Sequence, residues 1–192
     1  SSIIDNNRLT ITLLDNAGVM IEAEGMRIYI DPIDLPDTYQ EKPADVILIT
    51  HDHLDHYQIS TILKLQKEDT VNVFPAIMTN ALSLYDGITV VPRDNLTIKA
   101  ANITAFYMYT IPVGGMSSHP KESNYTSYII HIGGWTIFHA GDSYNIDEYH
   151  ELTGEIDIAL LPLGPGCQTM AEQDVVFVVQ TIQPKYMIPI HY

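Results

Sequence analysis

The sequence predicts an α/β fold, a four-layer αββα sandwich in which two mainly antiparallel or mixed β-sheets are flanked by helices. Short apolar runs rich in β-branched residues alternate with turn signals along most of the chain. Segments with helical patterning are fewer and lie between some of these runs. Because each sheet must bury a face against another layer, many strands and few helices predict two sheets covered by helices.

Strands are predicted where a short apolar run is bounded by turn residues. In chain order they are Leu9–Leu14, Val19–Ala23, Arg27–Asp31, Val46–Thr50, Val71–Phe74, Ile88–Val91, Leu96–Lys99, Ile103–Tyr109, Ser127–Ile132, Trp135–His139, Ile156–Leu161 and Tyr186–Pro189. The pairs Glu24-Gly25 and Gly133-Gly134 lie between paired runs. Both pairs predict hairpin turns, whose central residues have positive φ.

Helices are predicted at Ile59–Gln66, Ala76–Tyr85 and Met170–Ile182. The last has the clearest start and end signals. Thr169 and Glu172 have the spacing of a capping box, in which each side chain satisfies an unpaired backbone N–H. Pro184 follows and ends the helix.

Length and composition predict one domain. A chain of 192 residues matches the usual domain size, and 46% apolar residues supply a sizeable core. No stretch approaches the ~18 uninterrupted apolar residues that a membrane span needs. No signal peptide is recognisable at the N-terminus, and the single cysteine, Cys167, excludes an internal disulfide framework. We therefore expect a cytoplasmic setting.

The charge balance is strongly acidic and restricts the partners. The 24 Asp and Glu residues outnumber the 9 Lys and Arg residues, which gives a formal net charge of −15. Binding to a phosphate backbone needs clustered Lys and Arg, so we expect no nucleic-acid partner. A small-molecule substrate is the remaining expectation, and the sequence leaves the oligomeric state open.

The segment T-H-D-H-L-D-H at positions 50–56 carries the strongest chemical signal. It follows the apolar run Val46–Ile49, so its polar side chains are expected on a loop at the end of a buried strand. His51, His53, Asp55 and His56 offer imidazole and carboxylate ligands, which suit zinc. One segment cannot complete two metal sites, so further ligands must come from elsewhere in the chain.

The pattern H-x-H-x-D-H resembles the signature of the metallo-β-lactamase superfamily, and the resemblance covers nearly the whole chain. Later motifs follow in the superfamily's order, around Asp31, His119, Asp142 and His191. The segments Leu161–Gly164 and Thr169–Glu172 are similar to one branch, the metal-dependent hydrolases related to ascorbate-6-phosphate lactonase. Relatives usually continue past His191, so we expect residues 1–192 to be a single hydrolase domain shortened at its C-terminus.

The resemblance implies two divalent metal ions per chain, Zn²⁺ first, with Mn²⁺ or Fe²⁺ as alternatives. The first ion would take His51, His53 and His119, and the second would take Asp55, His56 and His191. Asp142 would bridge the two ions. The expected catalytic residues are Asp31, Asp55 and Asp142, with Asp31 accepting the other N–H of a ligand histidine.

The implied activity is hydrolysis of an ester, lactone, amide or phosphodiester bond in a small substrate by a hydroxide held between the two ions. Three alternatives stay open. One is a di-iron redox protein on the same fold, although such relatives have an acidic residue where this chain has His53. The others are an RNA-processing phosphodiesterase and a non-catalytic, metal-stabilised scaffold.

Five further side chains lie outside the predicted ligand set, and His139, Lys121 and Cys167 each have a structural and a functional interpretation. His139 is expected in the core or beside a ligand, and His131 and His150 at the surface. Lys121 either steers an anionic group or is solvated. Cys167 either lines the pocket or has no role, since no Cys-His nucleophile arrangement is apparent.

Overall fold

A computed structural model describes residues 2–4, 8–84 and 86–192 and contains two mixed sheets. The first has the strand order β1 (Ser2–Ile4), β2 (Leu9–Leu13), β3 (Val19–Ala23), β4 (Met26–Ile30), β5 (Val46–Leu48), β6 (Val71–Pro75), β7 (Gly87–Val90). The second has the order β13 (Tyr186–Ile190), β12 (Ile158–Pro162), β11 (Trp135–His139), β10 (Thr126–Ile132), β9 (Ala101–Tyr107), β8 (Asn95–Ile98). The α-helices are α1 (Ile59–Lys64) and α2 (Glu172–Ile182), and 3₁₀ turns span Asp37–Glu41, Thr79–Ser83, Lys121–Ser123, Asp147–Leu152 and Gly166–Gln168.

Three hydrophobic clusters separate four layers. The central cluster joins the inner faces of both sheets, and the other two join each sheet to its outer helix. Strand β4 shows how period-2 alternation builds this arrangement, because Ile28 and Ile30 enter the central cluster and Tyr29 enters the cluster beneath α1. On the opposite side Val175 and Val178 of α2 pack against the second sheet. The predicted αββα sandwich is therefore confirmed.

The predicted strands are all present in the described residues, with ends shifted by up to two residues. Both hairpin turns are confirmed by positive φ, at 51° and 71° for Glu24 and Gly25 and at 57° and 78° for Gly133 and Gly134. The predicted helix Ala76–Tyr85 is wrong within the described part of the chain, which holds only a 3₁₀ turn there, and Tyr85 lies outside it.

Two local reasons explain the errors in the helices. In the 3₁₀ turn the Ser83 hydroxyl donates to the Asn80 carbonyl at 2.7 Å, a local bond that competes with helix propagation. The predicted capping box is also wrong. Helix α2 begins later, where the Asp174 carboxylate accepts the Ala171 backbone N–H at 3.0 Å, while the Thr169 hydroxyl donates to the Gly166 carbonyl at 2.9 Å.

Parallel strands carry most of the predicted ligands to one place. Strand β4 is parallel to β5, and β11, β12 and β13 are mutually parallel in that order. Asp31 follows β4, His51 follows β5, Asp142 follows β11 and His191 follows β13. The carboxyl ends of neighbouring parallel strands share one edge, where open α/β sheets bind ligands. No described helix is long and apolar enough to cross a membrane.

Asp45 connects the two sheets at the end of the sandwich opposite the predicted ligands. Its carboxylate accepts the Arg27 backbone N–H at 2.7 Å and ammonium protons of Lys67 at 2.7 Å and Lys99 at 2.8 Å. Lys99 belongs to the β8–β9 turn of the other sheet. Burial raises the pKa of Asp45, but hydrogen bonds from Lys67 and Lys99 outweigh this effect and lower the pKa to about 2.

We expect Asp45→Asn to lower the free energy of unfolding by about 2 kcal/mol at pH 7, as the size of this pKa shift implies. A lowered folded-state pKa stabilises the native chain above the unfolded pKa, and this contribution disappears as the pH falls through the folded pKa. The difference between wild type and variant should therefore close between pH 4 and about pH 2. Urea unfolding at pH 7 and pH 3 measures it.

Asp69→Asn is the matched control for this prediction. Asp69 contacts the same two lysines, at 3.4 Å from Lys67 and 2.8 Å from Lys99, but its side chain is 58% exposed. Exposed ion pairs contribute less than about 1 kcal/mol. An equal loss of stability in both variants would contradict the role given to Asp45.

Candidate metal centre

The predicted metal ligands converge at one end of the sandwich in two groups that share Asp142. We call His51, His53 and His119 with Asp142 the first sub-site, and Asp55, His56 and His191 with Asp142 the second sub-site. Within each sub-site the candidate ligand atoms all lie within 4.8 Å of one another. The structure thus brings together, from four distant parts of the chain, every residue that the sequence predicts as a ligand.

The spacing of these atoms matches what a cation requires. Ligands at 2.0–2.1 Å from a tetrahedral ion lie about 3.3–3.4 Å apart. The Asp142 Oδ2 atom lies 3.6 Å from His51 Nε2, 3.5 Å from His119 Nε2 and 3.3 Å from His191 Nε2. His191 Nε2 lies 3.4 Å from Asp55 Oδ2. These separations are too long for strong hydrogen bonds and suit atoms arranged around an ion.

Burial without partners gives a second indication. Among the described residues, His51 Nε2, His119 Nε2, His191 Nε2 and both carboxylate oxygens of Asp142 are buried and accept or donate no hydrogen bond. A buried polar atom without a partner costs about 1–3 kcal/mol, more for a charged one. Their convergence on shared points means that a cation would satisfy them together, so the residues present fit the predicted metal ions.

Asp31 and Thr50 fix the orientation of two histidines. The Asp31 carboxylate accepts the Thr50 backbone N–H at 2.8 Å, the Thr50 hydroxyl at 2.6 Å and His56 Nδ1–H at 2.8 Å. Because the Thr50 hydroxyl gives its only proton to Asp31, it must accept at its 2.8 Å contact with His51 Nδ1. Both rings therefore carry a proton on Nδ1, and their Nε2 atoms face the centre of the site.

Burial and charge set the protonation of the ligand histidines. Burial lowers the pKa of His51 to about 4, so its imidazole is neutral, the form that binds metals. Burial also lowers the pKa of His56, but the carboxylates of Asp142 and Asp31 outweigh it and raise the pKa to about 10. In the metal-free chain His56 is thus an imidazolium that balances the carboxylates, and cation binding displaces its Nε2 proton.

Close backbone packing places Asp142. Gly141 has a φ of 58°, and a Cβ atom on it would lie 2.5 Å from Met108 Sδ and 3.2 Å from Thr50 Cβ. Only glycine fits this position. The Asp142 backbone N–H donates to Met108 Sδ at 3.3 Å, and strand β11 fixes the chain just before it. The fully buried carboxylate therefore points into the space between the two sub-sites.

His119 is held by its loop rather than by a strand. Its backbone N–H donates to the Thr110 hydroxyl at 3.0 Å, and its carbonyl accepts the Thr110 N–H at 2.9 Å. Gln168 accepts the Ser118 N–H at 2.7 Å, which ties this loop to the segment before α2. His119 is completely buried and is therefore not a solvated loop histidine.

Two residues near the ligands are not among the predicted site residues. Tyr125 donates its hydroxyl to Asp52 at 2.7 Å, and its ring lies 5.5 Å from the His51 ring and 6.3 Å from the rings of His53 and His119. Asn16, in the β2–β3 loop, contacts Asp55. A tyrosine beside a sheet and an asparagine in a turn give no chemical signal in the sequence.

The structure shows the surroundings of the five further side chains outside the predicted ligand set. His139 is buried, and its Nε2 donates to the Ala17 carbonyl at 2.8 Å while its Nδ1 accepts the Gly141 N–H at 3.1 Å, so both nitrogens are occupied away from the sub-sites. His131 and His150 are exposed, as predicted. The Lys121 ammonium donates to Glu148 at 2.6 Å and is neither free nor directed at the ligands. Cys167 is an exposed free thiol.

Comparison with known families decides the broader assignment. The model described as a β-lactamase superfamily domain matches residues 10–191 of this chain. The chain belongs to the metallo-β-lactamase superfamily. The superfamily predicted from the H-x-H-x-D-H motif is therefore confirmed.

Within the metallo-β-lactamase superfamily the chain groups with the UPF0173 metal-dependent hydrolases. It is 32% identical to a UPF0173 metal-dependent hydrolase of Pyrococcus furiosus, over 95% of this chain and 84% of that protein. A UPF0173 protein of Pyrococcus abyssi is 30% identical, over 96% of this chain and 83% of the relative. A crystal structure from Parabacteroides distasonis, of a candidate metal-dependent hydrolase, is 30% identical with a TM-score of 0.87, covering 97% and 83% of the two chains.

One structural neighbour has a different chemistry. CmlA, a diiron β-hydroxylase of Streptomyces venezuelae, superposes with a TM-score of 0.72 at 17% identity, covering 97% of this chain and 45% of the neighbour. An identity this low shows a common fold and nothing about the reaction. The choice between hydrolysis and redox chemistry depends on this chain's own ligands.

Proposed function

We propose that this protein is a hydrolase that uses two divalent metal ions, Zn²⁺ first, to cleave an ester, lactone, amide or phosphodiester bond of a small substrate. The first sub-site would hold one ion and the second sub-site the other, with Asp142 between them. The observation that carries the proposal is the convergence of unpartnered, buried imidazole and carboxylate atoms on two adjacent points. The similarity to UPF0173 metal-dependent hydrolases supports the same class of reaction.

When bound, two such ions supply Lewis-acid chemistry, since they lower the pKa of a water from ~15.7 to about 7 and stabilise a developing oxyanion. The chain's own residues prepare the place for this chemistry. Asp31 and Thr50 hold His51 and His56 through their Nδ1 atoms, so that the Nε2 atoms of both rings are directed inward. Asp55, whose side chain is 50% exposed, lies where the site opens to solvent and a substrate can enter.

A cavity beside the ligand loop is the candidate place for part of a small substrate, and none of its described lining residues is a predicted metal ligand. It has a volume of about 300 Å³ and a mainly apolar lining that includes Leu54, Tyr57, Ile59, Ile77 and Leu84. Asp52 also lines it, and Asp52 and Leu54 alternate in sequence with the ligands His51, His53 and Asp55. A volume near the lower end of usual ligand pockets fits a small molecule better than a polymer.

The alternatives find less support. Three imidazoles in the first sub-site favour zinc over the carboxylate-rich site of a di-iron protein. A purely structural zinc site would be closed by four protein ligands, whereas the second sub-site here is partly exposed. The net charge of −15 disfavours RNA. A closer relation to ascorbate-6-phosphate lactonase, indicated by Leu161–Gly164 and Thr169–Glu172, makes a lactone the first substrate class to test.

Metal removal tests the proposal directly. Elemental analysis of the loaded protein should give two ions per chain, and exhaustive chelation should abolish turnover on a panel of esters, lactones, amides and phosphodiesters. Ligand binding at 1,000 times Kd stabilises a fold by about 4 kcal/mol, so loading should raise Tm by about 10 °C. Reloading with Zn²⁺ should restore both properties.

Visible absorption is the control for the redox alternative. A zinc-loaded hydrolase is colourless, whereas a di-iron protein absorbs visible light. The proposal fails if turnover on every substrate class survives complete metal removal, or if the fully loaded chain holds no ions at these residues.

A further inference from the structure

The β2–β3 loop reaches directly beneath the second sub-site. Its backbone closes on itself, since Leu14 N–H donates to the Gly18 carbonyl at 2.8 Å and Gly18 N–H donates to the Asp15 carbonyl at 2.8 Å. Asn16 stands at the tip with a φ of 52°, a left-handed conformation that asparagine adopts more readily than most residues. Its backbone N–H is held by the Asp15 carboxylate at 3.0 Å.

Asn16 contacts three candidate ligands of the second sub-site, and its side-chain Nδ2 lies 3.5 Å from His56 Nε2. Its side-chain Nδ2 donates to the Asp55 carbonyl at 2.9 Å and to Asp55 Oδ2 at 3.3 Å. Its backbone carbonyl accepts the His191 backbone N–H at 3.2 Å. The acceptors decide the orientation of the amide, because a carbonyl and a carboxylate can only accept and must face the NH₂ group.

Asp55 and His191 are not fully buried. The Asp55 side chain is 50% exposed and the His191 side chain is 11% exposed. His191 comes directly after strand β13. By contrast His51, His119 and Asp142 are completely buried. An exposed carboxylate has several accessible rotamers, and the hydrogen bond from Asn16 favours the one in which Oδ2 faces His191 Nε2 at 3.4 Å.

We propose that Asn16 is a positioning residue for the second metal ion: its amide fixes the Asp55 carboxylate and its carbonyl fixes His191. This inference rests on the proposed two-ion site and adds a residue to it. Partners of this kind change metal affinity about 10- to 100-fold. The effect is confined to the second sub-site, because Asn16 makes no described hydrogen bond to His51, His53 or His119.

The test is a titration of metal-free protein with Zn²⁺ in the presence of a competing chelator, which gives the two dissociation constants separately. Asn16→Gly is the informative variant, since glycine accepts a positive φ and retains the carbonyl that holds His191. We expect the Kd of the second ion to rise about 10- to 100-fold while the Kd of the first stays within about twofold. Co²⁺ titration followed by visible absorption provides an independent count of the ions.

Two comparisons make the result decisive. Asn124→Gly is the matched control, because Asn124 is exposed and also left-handed, with a φ of 50°. In the Asp55→Ala background, Asn16→Gly should have little further effect on the second Kd if Asn16 acts through Asp55. Wild-type protein that binds fewer than two ions would overturn the proposed function. Wild type with two ions and an Asn16→Gly variant with an unchanged second Kd, or with equal loss of both ions, would overturn this inference alone.

Discussion

Asp142→Ala is expected to abolish hydrolysis and to remove at least one of the two metal ions. The carboxylate of Asp142 is the only group shared by both sub-sites in the described part of the chain. Its oxygens lie 3.1–3.6 Å from the Nε2 atoms of His51, His56, His119 and His191. Without it neither sub-site retains an anionic ligand that is buried, and the two ions lose the group that would hold them together.

The size of the expected effect follows from comparison with residues that only orient a metal ligand. Loss of a residue that only orients a ligand costs about 10- to 100-fold in metal affinity or activity, so loss of the shared ligand should cost at least about 100-fold in kcat/KM. Elemental analysis and turnover on the best substrate of the panel measure the two effects. Asp147→Ala is the control, since Asp147 is exposed in the segment that follows β11 and Asp142. Metal content and turnover equal to the wild type would overturn the site assignment.

Residue type and spacing alone predict only the ligands that lie close together along the chain. His51, His53, Asp55 and His56 lie within six consecutive positions after a buried strand, so residue type and spacing alone indicate a metal site. His119, Asp142 and His191 lie far apart in sequence, and only resemblance to a family connects them before the fold is known. The positions of Asp142 and His191 then follow from strands whose alternation was predictable, because the chain leaves each strand at the edge of its sheet, whereas His119 is placed by contacts within its loop.

Residues that act through space gave no signal. Asn16 lies in a turn, where asparagine is common for conformational reasons alone, and its contact with Asp55 spans 39 positions. Thr50 was predicted as the end of a strand, and only its pair of bonds to Asp31 and His51 shows its part in orienting the site. Periodicity also failed for the described residues 76–84, where the chain forms a 3₁₀ turn and the Ser83 hydroxyl donates to the Asn80 carbonyl.

Asp31→Asn is the second substitution with a large expected effect, and it isolates proton placement from shape. Asparagine is nearly isosteric and tolerates the φ of 47° at this position. Its amide oxygen can still accept the Thr50 N–H, but its NH₂ group then faces the Thr50 hydroxyl and His56 Nδ1–H, which are both donors. His56 can accept from this NH₂ only with no proton on Nδ1, which leaves its proton on Nε2, the atom that faces Asp142 at 3.1 Å.

Metal binding at the second sub-site needs His56 with a proton on Nδ1 and none on Nε2, and this form would face the new NH₂ group donor to donor. We therefore expect Asp31→Asn to weaken the second ion and lower kcat/KM by about 100-fold, at the upper end for groups that orient a ligand. Burial raises the pKa of Asp31, but the hydrogen bond and the charge of His56 outweigh burial and lower the pKa below its usual value. The wild-type carboxylate is therefore ionised throughout the neutral range. Asp34→Asn is the matched control: Asp34 is exposed, has a φ of 51° and accepts only from Gln58 within the described chain. Zinc titration and turnover of both variants decide the matter, because an Asp31→Asn protein that binds two ions as tightly as the control would show that Asp31 serves the fold and not the metal centre.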